Sequence, residues 1–142
     1  MSVSASLVIH LEEYRIMDIV GIYLKCGLSV FDSNGRAYII TSDDYDWEHL
    51  SVTFDELSDI ITERERSGLT VGIMLYENGE PVTDLLKTTP NELSVACDLN
   101  RRTLDMNVRR RYTDVSWYIE KFVAPLESDG AVIEWFEFWE SR

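Results

Sequence analysis

The apolar and polar positions at the start of the chain predict a strand followed by a helix. Residues 4–11 alternate between the two kinds of position, which is typical of a strand with one buried face. Residues 13–26 instead place Ile16 and Val20 at helical spacing, and Gly27 suits the end of that helix. Gly21 and the β-branched residues of this segment leave a strand as the alternative.

An Asn34-Gly35 pair predicts the first hairpin, because both residue types tolerate the positive φ angles of a tight turn. The flanking residues 28–31 and 36–41 are apolar enough to form its two strands. Residues 42–49 are mostly polar, and we expect a loop there.

A capping box marks the clearest helix start. The Thr53 hydroxyl can accept a hydrogen bond from the Glu56 backbone, and the Glu56 side chain can reach back to Thr53. Leu57 and Ile61 follow at helical spacing, and Gly68 suits the helix end.

Four short strands are predicted after this helix. Residues 69–76 and 82–86 flank a second Asn-Gly turn at residues 77–80. Residues 93–99 alternate most regularly, and residues 104–107 are a short fourth strand.

The last part of the chain predicts a helix and then an aromatic strand. Thr113 or Asp114 caps the helix, and Pro125 with the turn at residues 128–130 ends it. Residues 132–139 follow as a strand that is apolar on both faces. It is therefore either central and covered on both sides, or an edge strand that contacts a partner. Strict alternation puts Ile133, Trp135 and Trp139 on one face, and Val132, Phe136 and Phe138 on the other.

Together these elements predict an α+β fold. We expect a single antiparallel or mixed sheet, with two to three helices packed on it. Residues 1–142 contain no linker, repeat or low-complexity segment, which favours a single domain.

Composition narrows the classes of function. Of the 142 residues, 45% are hydrophobic and 11% aromatic, which predicts a folded core. The net charge of -13 disfavours binding to nucleic acid or to an anionic membrane and favours a basic partner. No secretory signal or membrane span is recognisable, so a cytoplasmic location is expected. Cys26 and Cys97 both lie in apolar runs and are expected to be buried free thiols.

The catalytic inventory of the sequence is small. No phosphate-binding, dinucleotide-binding, nucleophile or metal motif is present, so we predict neither a cofactor nor a metal site. His10 is interpreted as a core or surface histidine. His49 could form an acid/base pair with Asp46 or Glu48, which keeps an enzyme as a third hypothesis.

The strongest functional signal is a segment rich in acidic residues. Residues 43–66 contain nine Asp or Glu and two Arg, a net charge of -7. Tyr45 and Trp47 lie among these acids and are the residue types that anchor interfaces. A solvated loop and helix surface would explain the same pattern. The predicted partner-binding residues are Asp43, Asp44, Tyr45, Asp46, Trp47, Glu48, Asp55, Glu56 and Asp59.

A basic segment follows later in the chain. Residues 101–111 contain five Arg and one Asp, a net charge of +4. The favoured interpretation is that these arginines pair with carboxylates of the same chain or of a second copy. An anion site or nucleic-acid patch is the alternative.

These observations lead to a hypothesis of a non-enzymatic inhibitor. We expect a bacterial immunity or antitoxin-type protein whose acidic surface covers the active site of a basic toxin, such as a nuclease. The alternative is a small-molecule-binding or regulatory homo-oligomer, for instance a homodimer that extends its sheet through the aromatic strand. The two hypotheses differ in what the arginines of residues 101–111 contact. If they bind the acidic segment of a second copy, the acids are not available to a toxin.

Overall fold

The computed structural model describes residues 3–104 and 111–141 of the chain. These residues form seven strands, β1 to β7 in chain order, which make one antiparallel sheet in the order β3-β2-β4-β5-β6-β1-β7. The strands are β1 (Ser4–Leu11), β2 (Ala37–Ile40), β3 (Trp47–Leu50), β4 (Val71–Glu77), β5 (Glu80–Lys87), β6 (Glu92–Ala96) and β7 (Ile133–Ser141). The predicted α+β fold with a single antiparallel sheet is therefore confirmed.

The helices supply the other half of a common core. They are α1 (Ile16–Lys25), α2 (Phe54–Arg66), α3 (Val115–Tyr118), a π-helical turn (Ile119–Val123) and α4 (Ala124–Ser128). Their buried residues form one cluster with alternate residues of the strands, such as Leu7 and Ile9 of β1. We call this side of the sheet the helix face and the other side the open face.

Local sequence signals account for several of these elements. Thr53 and Glu56 form the complete capping box at the start of α2. The β4–β5 hairpin turns through Asn78 and Gly79, both with positive φ. Gly68 follows α2 with a φ of 74°, which is left-handed backbone that favours glycine. These predictions are confirmed.

The first predicted hairpin is wrong in its pairing. The turn at Asn34 and Gly35 forms, and the Asp32 N–H donates to the Arg36 carbonyl at 2.9 Å. However, Ser29 bridges to Tyr76 of β4, and β2 also pairs with β4. The two flanking segments therefore lie along the same neighbouring strand and do not pair with each other.

Two other local predictions fail for physical reasons. The expected loop over residues 42–49 contains the start of β3, an edge strand whose polar residues hide its alternation. Pro125 does not end the last helix, which continues to Ser128, where the predicted turn at residues 128–130 does end it. The π-helical turn Ile119–Val123 ends just before this segment, where Pro125 supplies no N–H to the hydrogen-bond ladder.

The last strand lies at the edge of the sheet and contains a bulge. His10 pairs with Trp135, whereas Leu11 pairs with Ile133, so Glu134 is the extra residue. The bulge moves Ile133 to the helix face with Phe136 and Phe138, which corrects the predicted grouping of Ile133 with Trp135. Trp135 and Trp139 lie on the open face.

The remaining predictions are partly outside the described residues. Most of the predicted strand at residues 104–107, and the side chains of Arg109 and Arg110, fall there.

Cys97 is buried as expected, but Cys26 is exposed because it follows the last turn of α1. Among the described helices, none is both long and apolar enough to cross a membrane.

Candidate functional site

The acidic loop between β2 and β3 is a tight turn built on one serine. The Ser42 hydroxyl accepts hydrogen bonds from the backbone N–H groups of Asp44 and Asp46, at 3.2 and 3.1 Å. It also donates to the Asp46 carboxylate at 3.1 Å. Tyr45 at the tip has a φ of 62° and is 59% exposed. The turn therefore presents Tyr45 and the flanking carboxylates to solvent.

Trp47 is fixed against the sheet beside this loop. It begins β3 on the open face, and its ring lies 5.3 Å from that of Tyr38 on β2. Gly72 on β4 leaves the space that the Trp47 ring fills, since a Cβ there would approach Trp47 Cη2 to 2.8 Å. Trp47 is half-buried as a result, and Tyr45 is the more accessible of the two aromatic residues.

The structure divides the predicted acidic residues into two groups. Asp43, Asp44 and Asp46 are in the loop, whereas Asp55 and Glu56 are on the first turn of α2. Arg64, near the other end of α2, donates to the Ser42 carbonyl at 3.3 Å. At 1.5 Å per residue, Asp55 is about 13 Å along the helix axis from Arg64. The loop and the first turn of α2 are therefore at different ends of the helix.

Two further acids lie between these groups. Glu48 is exposed on β3, where it pairs with Ile39 and so faces away from Trp47. Asp59 is exposed on the second turn of α2. Both α2 and the side chain of Glu48 lie on the helix face, so these acids extend around the β3 edge of the sheet.

No cation of the described residues neutralises these acids. None of the predicted partner-binding carboxylates forms an ion pair within residues 3–104 and 111–141. The two nearest arginines in sequence are used otherwise. Arg64 donates to the Thr70 carbonyl at 2.9 Å, and Arg66 pairs with Glu63. The negative charge of this surface is therefore not balanced by the described part of the chain.

The basic segment is bound by its own chain where it is described. The Arg101 guanidinium lies 3.2 Å from the Glu140 carboxylate, and both side chains are largely buried. Arg101 also donates to the Arg111 carbonyl at 3.2 Å. Arg102 lies over the Trp117 ring, 4.8 Å from its centroid. The expected internal pairing is confirmed for Arg101, and its partner is not the acidic surface.

His49 has neighbours that the sequence did not indicate. His49 stacks on Tyr38 with ring centroids 4.2 Å apart, and its Nδ1 is 4.0 Å from Asp32. His49 does not pair with Asp46 or Glu48, the two acids that the sequence offered as possible partners. Strand alternation turns Glu48 to the opposite face, and Asp46 is bonded to Ser42.

A half-buried carboxylate on β5 was missed by the sequence analysis. Asp84 pairs with Met74 of β4 on the open face. Burial, with a smaller contribution from the charge of Asp98, raises the pKa of Asp84 to about 6. The available signal was a single acid inside the strand-like run of residues 82–86.

One of the cavities contains a lysine whose charge is already paired. A cavity of about 490 Å³ lies between α1, α2 and the β5–β6 turn, and Tyr14, Glu65 and Lys87 line it. Its cation is already bound, because Lys87 Nζ donates to Glu65 at 2.7 Å and to the Tyr14 carbonyl at 2.5 Å. The described residues contain no group of three or more His, Cys, Asp or Glu side chains placed to bind a metal ion.

Comparison with the models of known protein families, with curated proteins and with solved structures finds no match.

Proposed function

We propose that this protein is a non-enzymatic inhibitor that binds a basic protein partner through its acidic surface. The class that fits best is a bacterial immunity or antitoxin-type protein that covers the active site of a toxin such as a nuclease. The observation that carries the proposal is the set of carboxylates around the β3 edge that no described cation neutralises, with Tyr45 exposed among them.

Charge provides the first step of recognition. A nuclease must bind phosphates, so its active cleft is basic. The carboxylates of Asp43, Asp44 and Asp46 would then occupy positions that phosphates otherwise take. Opposite charges steer association and raise its rate by orders of magnitude at low salt.

Tyr45 provides the anchor. It projects from a turn that the Ser42 hydroxyl already holds, so little conformational freedom is lost when its ring is buried. Tyrosine is among the residues most enriched at energetic centres of interfaces. Trp47 supports the loop from the open face, and its partly exposed ring extends the contact.

The alternative is a homo-oligomer that extends its sheet through β7. The edge position of β7 favours it, because an exposed edge strand is a template for another strand. The net charge of -13 on each copy weighs against it, since two copies repel one another.

The first experiment is a pull-down from the native host at low and moderate salt, with mass spectrometry. We expect one basic protein in near-equal amount, lost as the salt concentration rises. Recovery of the bait alone as a salt-resistant assembly would instead support the homo-oligomer.

The recovered partner then allows a kinetic test. The triple variant D43N/D44N/D46N should slow association at low salt about tenfold and flatten its salt dependence. The control E12Q/E120Q/E127Q removes the same charge from exposed positions on other elements, and should change association little. Tyr45→Ala should mainly speed dissociation, by about thirtyfold for an energetic centre of the interface. An association rate that ignores salt would contradict the mechanism.

A further inference from the structure

The outer edge of β7 is the second exposed surface of the sheet. It lies at the opposite end from β3, six strand spacings away, or about 29 Å at about 4.8 Å per spacing. In the described part of the chain, β7 pairs only with β1. It is also the longest strand, so its free edge is an extended one.

The hydrogen-bonding direction of β7 follows from its neighbour. The Leu11 N–H of β1 donates to Asn91 on the β6 side, and the next residue, Glu12, donates to Val132 on the β7 side. Backbone groups alternate in direction along an antiparallel strand. The residues of β7 opposite His10 and Val8 therefore bond to β1, and the N–H and C=O groups of Phe136 and Phe138 point to the free edge.

The open face of β7 presents two rings with a carboxylate between them. Trp135 and Trp139 are 50% and 48% exposed, and Glu137 lies between them on the same face. The Trp135 ring is stacked on His10 of β1, with centroids 3.4 Å apart and planes 13° from parallel. One ring face is covered by His10, so the opposite face is turned toward the free edge.

This row of groups fits a cationic strand. An arginine or lysine opposite Trp135 or Trp139 would meet an aromatic face, and one opposite Glu137 would meet a carboxylate. Such side chains would recur at every second position of an added strand. A second copy fits poorly, because an antiparallel self-pairing centred on Glu137 opposes like charges, and each chain carries -13.

We propose that the free edge of β7 binds an extended basic segment of another protein, which adds to the sheet as an eighth strand. Its backbone bonds to Phe136 and Phe138, and its alternate cationic side chains lie over Trp135, Glu137 and Trp139. This surface is separate from the acidic one around β3 and does not depend on the function proposed for that surface.

The test uses a labelled peptide, Arg-Val-Arg-Val-Arg-Val-Arg, and measures its affinity by fluorescence anisotropy. In this register the valine N–H groups face β7. A peptide N-methylated at the valines has the same charge but cannot bond to the edge. We expect it to bind at least about tenfold more weakly, as the loss of two or three hydrogen bonds implies. Equal affinity of the two peptides would overturn the proposal.

Matched variants locate the site. Phe136→Pro removes the outward N–H, whereas Phe136→Ala removes only the ring, so the proline variant should bind clearly more weakly than the alanine variant. Trp135→Ala should weaken binding about threefold to tenfold. D43N/D44N/D46N should leave peptide affinity nearly unchanged, because its charges are more than a Debye length away.

Hydrogen exchange measured by NMR gives an independent readout. The bound peptide should protect the amides of Phe136 and Phe138. Peptide-induced changes confined to residues 43–59 would overturn this proposal and leave the one for the acidic surface standing. A dimer in analytical ultracentrifugation that protects the same two amides without peptide would also overturn it, in favour of self-pairing.

Discussion

Lys87 of β5 and Glu65 of α2 form an ion pair inside the structure, with Lys87 Nζ 2.7 Å from Glu65 Oε2. Their side chains are only 10% and 16% exposed. The same carboxylate oxygen accepts the N–H of Ile16 at 2.7 Å, at the start of α1. The pair therefore joins the sheet to two helices at one point.

Removing the Lys87 ammonium group should destabilise the folded protein. In Lys87→Met the Glu65 carboxylate remains buried without its partner, and we expect a loss of about 3–5 kcal/mol in the free energy of unfolding. Urea denaturation followed by circular dichroism measures it.

A second change and a surface pair provide the controls. Adding Glu65→Gln to Lys87→Met removes the unpaired charge but keeps an acceptor for Ile16, so it should recover much of the loss. Arg66→Met breaks an exposed pair with Glu63 and should cost less than about 1 kcal/mol. Similar losses in Lys87→Met and Arg66→Met would show that burial does not determine the effect.

Gly72 is required by the side chains that cover it. A Cβ there would lie 2.6 Å from Ile40 Cδ1 and 2.8 Å from Trp47 Cη2. Gly72→Ala should therefore lower the free energy of unfolding by about 1–3 kcal/mol and shift Trp47 outward. Denaturation and the emission maximum of tryptophan fluorescence test the two effects.

Gly21 is the matched control for this substitution. It lies within α1, and a Cβ there has nothing within 4 Å. Gly21→Ala should raise the free energy of unfolding by about 0.5–1 kcal/mol, since alanine favours the helix. The prediction fails if the two alanine variants change stability in the same direction.

Asp84 should make stability depend on pH. Its pKa is raised to about 6 in the folded protein from an ordinary value of 3.8. The folded state therefore holds the proton more tightly than the unfolded state. The tighter binding of this proton stabilises the folded protein fully below about pH 4, and the stabilisation is lost as the pH rises through about 6.

Asp84→Asn isolates this effect from other carboxylates. The variant should match the native protein below pH 4 and be more stable at pH 7 by about 2–3 kcal/mol, at about 1.4 kcal/mol per pKa unit. Asp98→Asn should reproduce only part of the gain, because the charge of Asp98 is the smaller cause of the shift. Denaturation curves at pH 4 to 7 measure both, and a pH-independent difference would contradict the assignment.

The elements that depend on local signals were predictable from the sequence. The capping box of Thr53 and Glu56 and the turn at Asn78 and Gly79 specify their conformations within a few residues, and the structure has both. The single antiparallel sheet followed from the order of such elements. No feature within residues 28–31 could show that Ser29 pairs with Tyr76 of β4, because this pairing depends on residues far away in the sequence.

The candidate sites show the same division. The sequence identified Tyr45 and its acidic neighbours, and it left the aromatic strand as either central or edge. Only the sheet order places β7 at an edge and the first turn of α2 away from the loop. The burial that perturbs Asp84 is likewise set by neighbours from other strands.

The position of β1 between β6 and β7 has a consequence for how the chain folds. Ser4 lies opposite Ser141, so β1 meets this neighbour only after strands β2 to β6 and the helices between them have been synthesised. Contacts of such long sequence separation form slowly. During synthesis on the ribosome, one edge of β1 must therefore wait unpaired until β7 emerges, and the sheet is completed only after translation has reached the final strand.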